Sequence, residues 1–146
     1  MIFDIPNGEN IVNSPINDSL RLWLFLPIGY LTTILIETPI LIFGLSPKLS
    51  LKQRILCGIW LTACTYPIVV LVLPTLLGSI SWTLYIVVAE IFAPVGECVL
   101  FWLAFRGHKK FVTKDWVRCF IAIVVANLAS FGIGEMLNSF RWFGLF

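Results

Sequence analysis

Charge is what this sequence has least of: 146 residues carry eight acidic and ten basic side chains and a single histidine. So few charges leave too little polar surface to solvate a water-soluble domain of this length. The usual marks of catalysis are missing too. No His-Glu-x-x-His, paired Glu-Glu or Ser/His arrangement occurs, and one histidine in a loop, His108, cannot supply a catalytic dyad. No catalytic residue and no enzymatic activity are expected. Nucleotide-binding and Cys-x-x-Cys motifs are absent, so neither a cofactor nor a metal-ligand set can be named, and nothing suggests a nucleic-acid partner. The four cysteines, Cys57, Cys64, Cys98 and Cys119, fall within or at the ends of apolar stretches, where a thiol packs as a small apolar group rather than forming a secreted disulfide framework.

What is present is apolar. Hydrophobic residues make up 59% of the chain and the mean hydropathy is +0.95. Cut at its polar stretches, the sequence yields four segments, Leu22–Leu45, Ile55–Leu77, Trp82–Phe105 and Val117–Leu137. Each reaches the roughly 20 residues that a membrane-spanning helix needs. The expected fold is an all-α four-helix transmembrane bundle forming one integral membrane domain over residues 1–146, with residues 1–20 as a polar extracytoplasmic segment. The first segment is too long for a signal-peptide core and follows acidic rather than basic residues, so it reads as a retained helix.

The basic residues set the orientation. Lys48, Lys52 and Arg54 lie in the first connection, and Arg106, Lys109, Lys110, Lys114 and Arg118 in the third, together eight of the ten. The second connection, Gly78-Ser79-Ile80-Ser81, is uncharged, while the N-terminal segment holds Asp4, Glu9 and Asp18 against Arg21. Basic loops stay cytoplasmic, which places both termini outside and the protein in a bacterial cytoplasmic membrane. Trp23, Trp82 and Trp142 then mark the outer boundary and Trp102 and Trp116 the inner one, leaving Trp60 deep.

The second and fourth segments align without a gap, matching Trp60–Pro67 to Val125–Gly132, so that Thr62 corresponds to Asn127 and Thr65 to Ser130. Glu37 and Glu97 match by depth. The chain reads as two hairpins, each a glutamate helix followed by a hydroxyl or amide helix, in a parallel repeat about an axis along the membrane normal. Helical spacing gathers Tyr30, Thr33, Glu37 and Gly44 on one face, Gly58, Thr62 and Thr65 on a second, Glu90, Ala93, Glu97 and Ala104 on a third, and Asn127, Ser130 and Gly134 on a fourth. Small and polar stripes are how helices meet in lipid.

At 1.5 Å per residue, Glu37, Thr62, Glu97 and Asn127 all lie roughly 12–14 Å from the basic boundary, near the middle of a 30 Å core. Glu90 stands about 10 Å farther out on the face of Glu97, and Glu135 near the outer interface. A carboxylate at that depth costs about 2.5 kcal/mol or more. With no Lys or Arg in the helix interiors, Glu37 and Glu97 are expected to be protonated or to share a proton or cation. Pro39, Pro67 and Pro94 free the carbonyls of Leu35, Ala63 and Glu90, oxygens that need partners; those beside Glu37 and Glu90 could help bind water, a proton or a hard cation, while near Pro67 the hydroxyls of Thr62 and Thr65 are expected to fill the gap.

The segments Glu37-Thr-Pro39, Thr65-Tyr-Pro67, Ala89-Glu90, Glu97 and Asn127-Leu-Ala-Ser130 resemble those of small multi-pass bacterial membrane proteins of uncharacterised function, a resemblance that brings no activity with it. Small multidrug transporters also use four short helices with a glutamate in the first. This chain departs from them in its strong positive-inside bias, its loop lengths and the absence of their aromatic pattern around a Gly-Trp pair. Two functions follow from the residues. One is a small proton- or cation-linked transporter or channel using Glu37, Glu90, Glu97, Asn127, Thr62, Thr65 and Ser130 as binding or relay groups, in a homo-oligomer. The other is a non-catalytic accessory or assembly subunit bound to a membrane protein partner.

Overall fold

The computed structural model describes the backbone of residues 15–77 and 80–139 and the side chains of 26–77, 80, 81 and 83–137. All its regular structure is helical: α1 (Pro15–Gly44), α2 (Leu51–Pro67), a π-helical turn (Ile68–Val72), α3 (Leu73–Leu77), α4 (Trp82–Phe105) and α5 (Thr113–Ser139). α2, the π turn and α3 run on as one span, giving four helices long and apolar enough to cross a membrane. The helices extend past the apolar segments. α1 begins at Pro15, a residue whose fixed φ suits a first helical turn, inside the stretch expected to be a polar tail. The acidic residues Asp4, Glu9 and Asp18 and the boundary tryptophans Trp23, Trp82 and Trp142 lie outside the described side chains, and so does any sign of which side the termini face.

Local chemistry sets the helix starts. α2 opens with a capping box, in which Ser50 Oγ accepts from the Gln53 amide at 3.3 Å and Gln53 Oε1 accepts from the Ser50 amide at 2.8 Å. α4 opens on Ser81, whose hydroxyl accepts from the Leu84 amide. The π turn follows Pro67 directly, and the Leu73 amide donates to the Ile68 carbonyl five residues back. Pro67 and Pro74 flank the turn, each removing one backbone donor, and the ladder widens between them.

Each span packs against two neighbours: α1 lies between α2 and α5, and α4 completes the ring between the same two. α1 is the more tightly held. A Cβ on Gly44 would stand 2.6 Å from Ala122 Cβ of α5, and one on Gly58 would stand 2.5 Å from Thr38 Oγ1 of α1, so these glycines let α1 approach both neighbours closely. Gly134 does not serve this purpose: nothing lies within 4 Å of its Cβ position. Ala104, at the end of the α4 stripe, faces outward. Trp60, expected at mid-membrane depth, is 40% exposed on the bundle surface, as a lipid-facing side chain at that depth would be.

The core occupies the half near the basic loops, where Leu41, Leu45, Leu61, Phe101 and Ile123 are fully buried. Cys57 and Cys119 are buried in that core, and all four cysteines are free thiols. Beyond the glutamates the packing loosens, with Leu73 and Ala89 the buried hydrophobic residues of the far half among those described.

Candidate functional site

The glutamates sit where the dense core ends. Glu37 and Glu97 are 2% and 1% exposed, deeper than most of the apolar side chains around them. Glu37 is held by two hydroxyls: Thr62 Oγ1 donates to Oε2 at 2.7 Å and Ser130 Oγ to Oε1 at 2.6 Å. Glu97 is held by Thr65 Oγ1, donating to Oε1 at 2.9 Å, and Asn127 Nδ2, donating to Oε2 at 2.8 Å. Thr62 and Thr65 are three residues apart on α2, and Asn127 and Ser130 three apart on α5, so two adjacent turns of two helices reach both carboxyls. The layer expected from helix depth is therefore assembled from all four spans.

The bonding follows the repeat. Each glutamate takes one donor from the second helix of its own hairpin, Thr62 for Glu37 and Asn127 for Glu97. Its other donor comes from the opposite hairpin, Ser130 for Glu37 and Thr65 for Glu97. Exchanging the hairpins under the alignment maps every one of these bonds onto another. A second set obeys the same rule, since Thr62 Oγ1 also reaches the carbonyl of Gly58 and Asn127 Nδ2 that of Ile123, each four residues back.

Those carbonyls matter because a hydroxyl has one hydrogen. Thr62 Oγ1 lies 2.8 Å from Gly58 O, Thr65 Oγ1 3.1 Å from Leu61 O, and Ser130 Oγ 2.9 Å from Asn127 O, each in addition to its carboxyl contact. Toward an ionised carboxylate, the hydroxyl donates. Toward a protonated carboxyl, it accepts the acid proton and turns its own hydrogen to the helix carbonyl. Three of the four groups holding the pair can thus serve both protonation states by a rotation of one C–O bond, while the Asn127 amide, with two hydrogens, satisfies Glu97 and Ile123 together. The site's side chains do not use the carbonyls that Pro39, Pro67 and Pro94 free at Leu35, Ala63 and Glu90.

A cavity of about 180 Å³ opens from the pair into the loosely packed half, bounded by both glutamates, their four donors, Thr33, Tyr66 and Glu90. Glu90 is partly buried and, among the described residues, has no hydrogen-bond donor or cation at its carboxyl. Tyr66 was not anticipated as a site residue, although its Thr65-Tyr66-Pro67 context was. Its hydroxyl is buried and has no hydrogen-bond partner among the described residues, which leaves it open to a water or ion in the cavity. Tyr30 is not part of the site, as its hydroxyl donates to the Ile59 carbonyl. Among the described residues no three of His, Cys, Asp and Glu come together as a metal site.

A different polar cluster closes the basic end. Asp115 accepts from Lys48 Nζ at 2.6 Å, Ser46 Oγ at 2.7 Å and the Val112 amide at 3.0 Å, while Lys48 also donates to the Lys110 carbonyl. Arg54 donates to the carbonyls of Ile42 and Leu49, and Arg118 to those of Phe43 and Gly44, so the orphan carbonyls at the end of α1 are capped by guanidinium groups from both neighbours. His108 packs its ring 4.6 Å from Phe111, and its Nδ1 is buried without a hydrogen-bond partner among the described residues.

Scanned against protein-family models, curated proteins and solved structures, the chain matches none.

Proposed function

We propose that this membrane protein moves protons, alone or with a small cation, across the bilayer through the Glu37–Glu97 pair. One observation carries the reading: two buried carboxyls line one cavity with no cation at either among the described residues, held by hydroxyls able to bond either protonation state. A structural carboxylate would be expected to have a fixed positive partner, because an unpaired buried charge costs several kcal/mol. A relay needs the reverse, a surrounding that tolerates both forms. Glu90 and the Tyr66 hydroxyl extend the polar path outward, and the basic end is the cytoplasmic side of a bacterial membrane in this reading. The working form in this reading is a homo-oligomer.

Reconstituted into liposomes, the wild-type protein should dissipate an imposed pH gradient, and Glu97→Gln, which keeps the shape and the hydrogen-bond acceptor, should abolish the flux while still folding. A purified wild-type protein that leaks no protons and no small cations would sink the proposal.

The completeness of the hydrogen bonding favours a second reading. Four donors tie two hairpins together through two carboxyls, which is also what a stable accessory or assembly subunit of a larger membrane complex would require. In that case Glu97→Gln weakens assembly instead, and a stoichiometric membrane partner co-purifies in mild detergent.

A further inference from the structure

Between α4 and α5 the bundle surface carries a groove of about 640 Å³, walled by Val95, Val99, Trp102, Phe120, Val124 and Leu128 and almost wholly apolar. It starts at Trp102, beside the basic loop, and ends at Glu90. Twelve residues of helix separate those ends, about 18 Å, close to half of a roughly 30 Å hydrocarbon core. The groove is therefore as long as one leaflet is deep.

Its basic end is also charged in a particular way. The Arg106 guanidinium lies over the Trp102 ring, 5.8 Å from the centroid. Arg54 and Arg118 are each tied by two N–H groups to backbone carbonyls at and just beyond the end of α1, and Lys48 is tied to Asp115 and Lys110. Arg106 differs: among the described residues its exposed side chain makes no hydrogen bond or ion pair, so its fork of donors remains available to a phosphate at the membrane surface. Lys109, three residues on, is exposed in the same loop.

We propose that this groove binds one anionic phospholipid of the leaflet on the basic side, its phosphate on Arg106 and one acyl chain laid along α4 and α5. The chain's methyl end then reaches Pro94 and Glu90, the two residues that the groove shares with the cavity above the carboxyl pair. The end of the lipid chain then covers the cavity's outer edge at Glu90 and Pro94. This site does not depend on the transport role.

Native mass spectrometry from mild detergent tests it directly, with phosphatidylglycerol and phosphatidylcholine of equal chain length as probes. One phosphatidylglycerol per protein should be retained in preference to phosphatidylcholine. Arg106→Gln should weaken its retention about tenfold through loss of the charged hydrogen bonds. Val95→Trp, which fills the groove from a lipid-facing position 55% exposed, should weaken it similarly with the headgroup end intact; Val99→Trp provides the same block one turn away. Inorganic phosphate should neither bind nor stabilise the protein. Equal retention of the two lipids, or phosphatidylglycerol retention unchanged in Arg106→Gln and in both tryptophan variants, would overturn the proposal.

Discussion

Two clusters in this molecule bury carboxyl groups, and they are built on opposite principles. At the basic end, Asp115 has a lysine ammonium, a hydroxyl and a backbone amide, all aimed at one carboxylate. That arrangement suits only the ionised form, and it joins the first connection to the start of α5. Inside the bundle, Glu37 and Glu97 have no cation among the described residues, and three of their four partners are hydroxyls with an alternative acceptor within reach. The first cluster fixes a charge and the second leaves it free to change. In the proposed function, it is the partners and not burial that separate a structural acid from a working one.

The comparison breaks most sharply if the two clusters are neutralised in turn. Glu37→Gln and Glu97→Gln should each abolish proton flux in liposomes, with the purified protein still folded by circular dichroism. Asp115→Asn should do the reverse, leaving flux per folded molecule unchanged while lowering the thermal midpoint, because Lys48 then loses its counter-charge. Loss of flux in Asp115→Asn at full stability would erase the distinction.

The close contacts of α1 come next in size. Gly58→Val and Gly44→Val force a Cβ to within 2.5 and 2.6 Å of Thr38 and Ala122 and should destabilise by about 1–3 kcal/mol in reversible unfolding. Gly132→Ala, with nothing within 4 Å, should instead stabilise α5 by about 0.5–1 kcal/mol. Smaller still is the effect of the donors that cross between hairpins. Thr65→Val and Ser130→Ala should each cost about 1 kcal/mol and do so equally, since the repeat makes them equivalent. Double-mutant cycles of Thr65 with Glu97 and Ser130 with Glu37 check this, and coupling in only one of the two would show the symmetry to be superficial.

Much of the site could be read before any coordinates. Helical rise set Glu37, Thr62, Glu97 and Asn127 at one depth, and the gapless match of the second and fourth segments paired Thr62 with Asn127 and Thr65 with Ser130. The crossed bonds were not legible, because they depend on α1 standing between α2 and α5, a packing order that periodicity does not encode. Asp115 carries a signal in the sequence as a lone acid among Lys109, Lys110, Lys114 and Arg118, where pairing is the natural outcome, but nothing there shows that its partner is Lys48. The arginine caps on α1 and the π turn left weaker traces. The first needs the tertiary arrangement, and the second shows only as the spacing of Pro67 and Pro74. The groove between α4 and α5 arises from unequal packing around the ring and could not be foreseen from either helix alone.

The claim that matters most is that the mid-membrane pair changes its protonation while Asp115 does not. Infrared difference spectroscopy across a pH titration reads protonated carboxyl bands in the membrane protein directly. The account predicts buried carboxyl bands that grow and fade with pH in the wild type, with Glu37→Gln and Glu97→Gln each removing part of the signal and Asp115→Asn removing none. Bands that stay constant across the whole accessible pH range would contradict it.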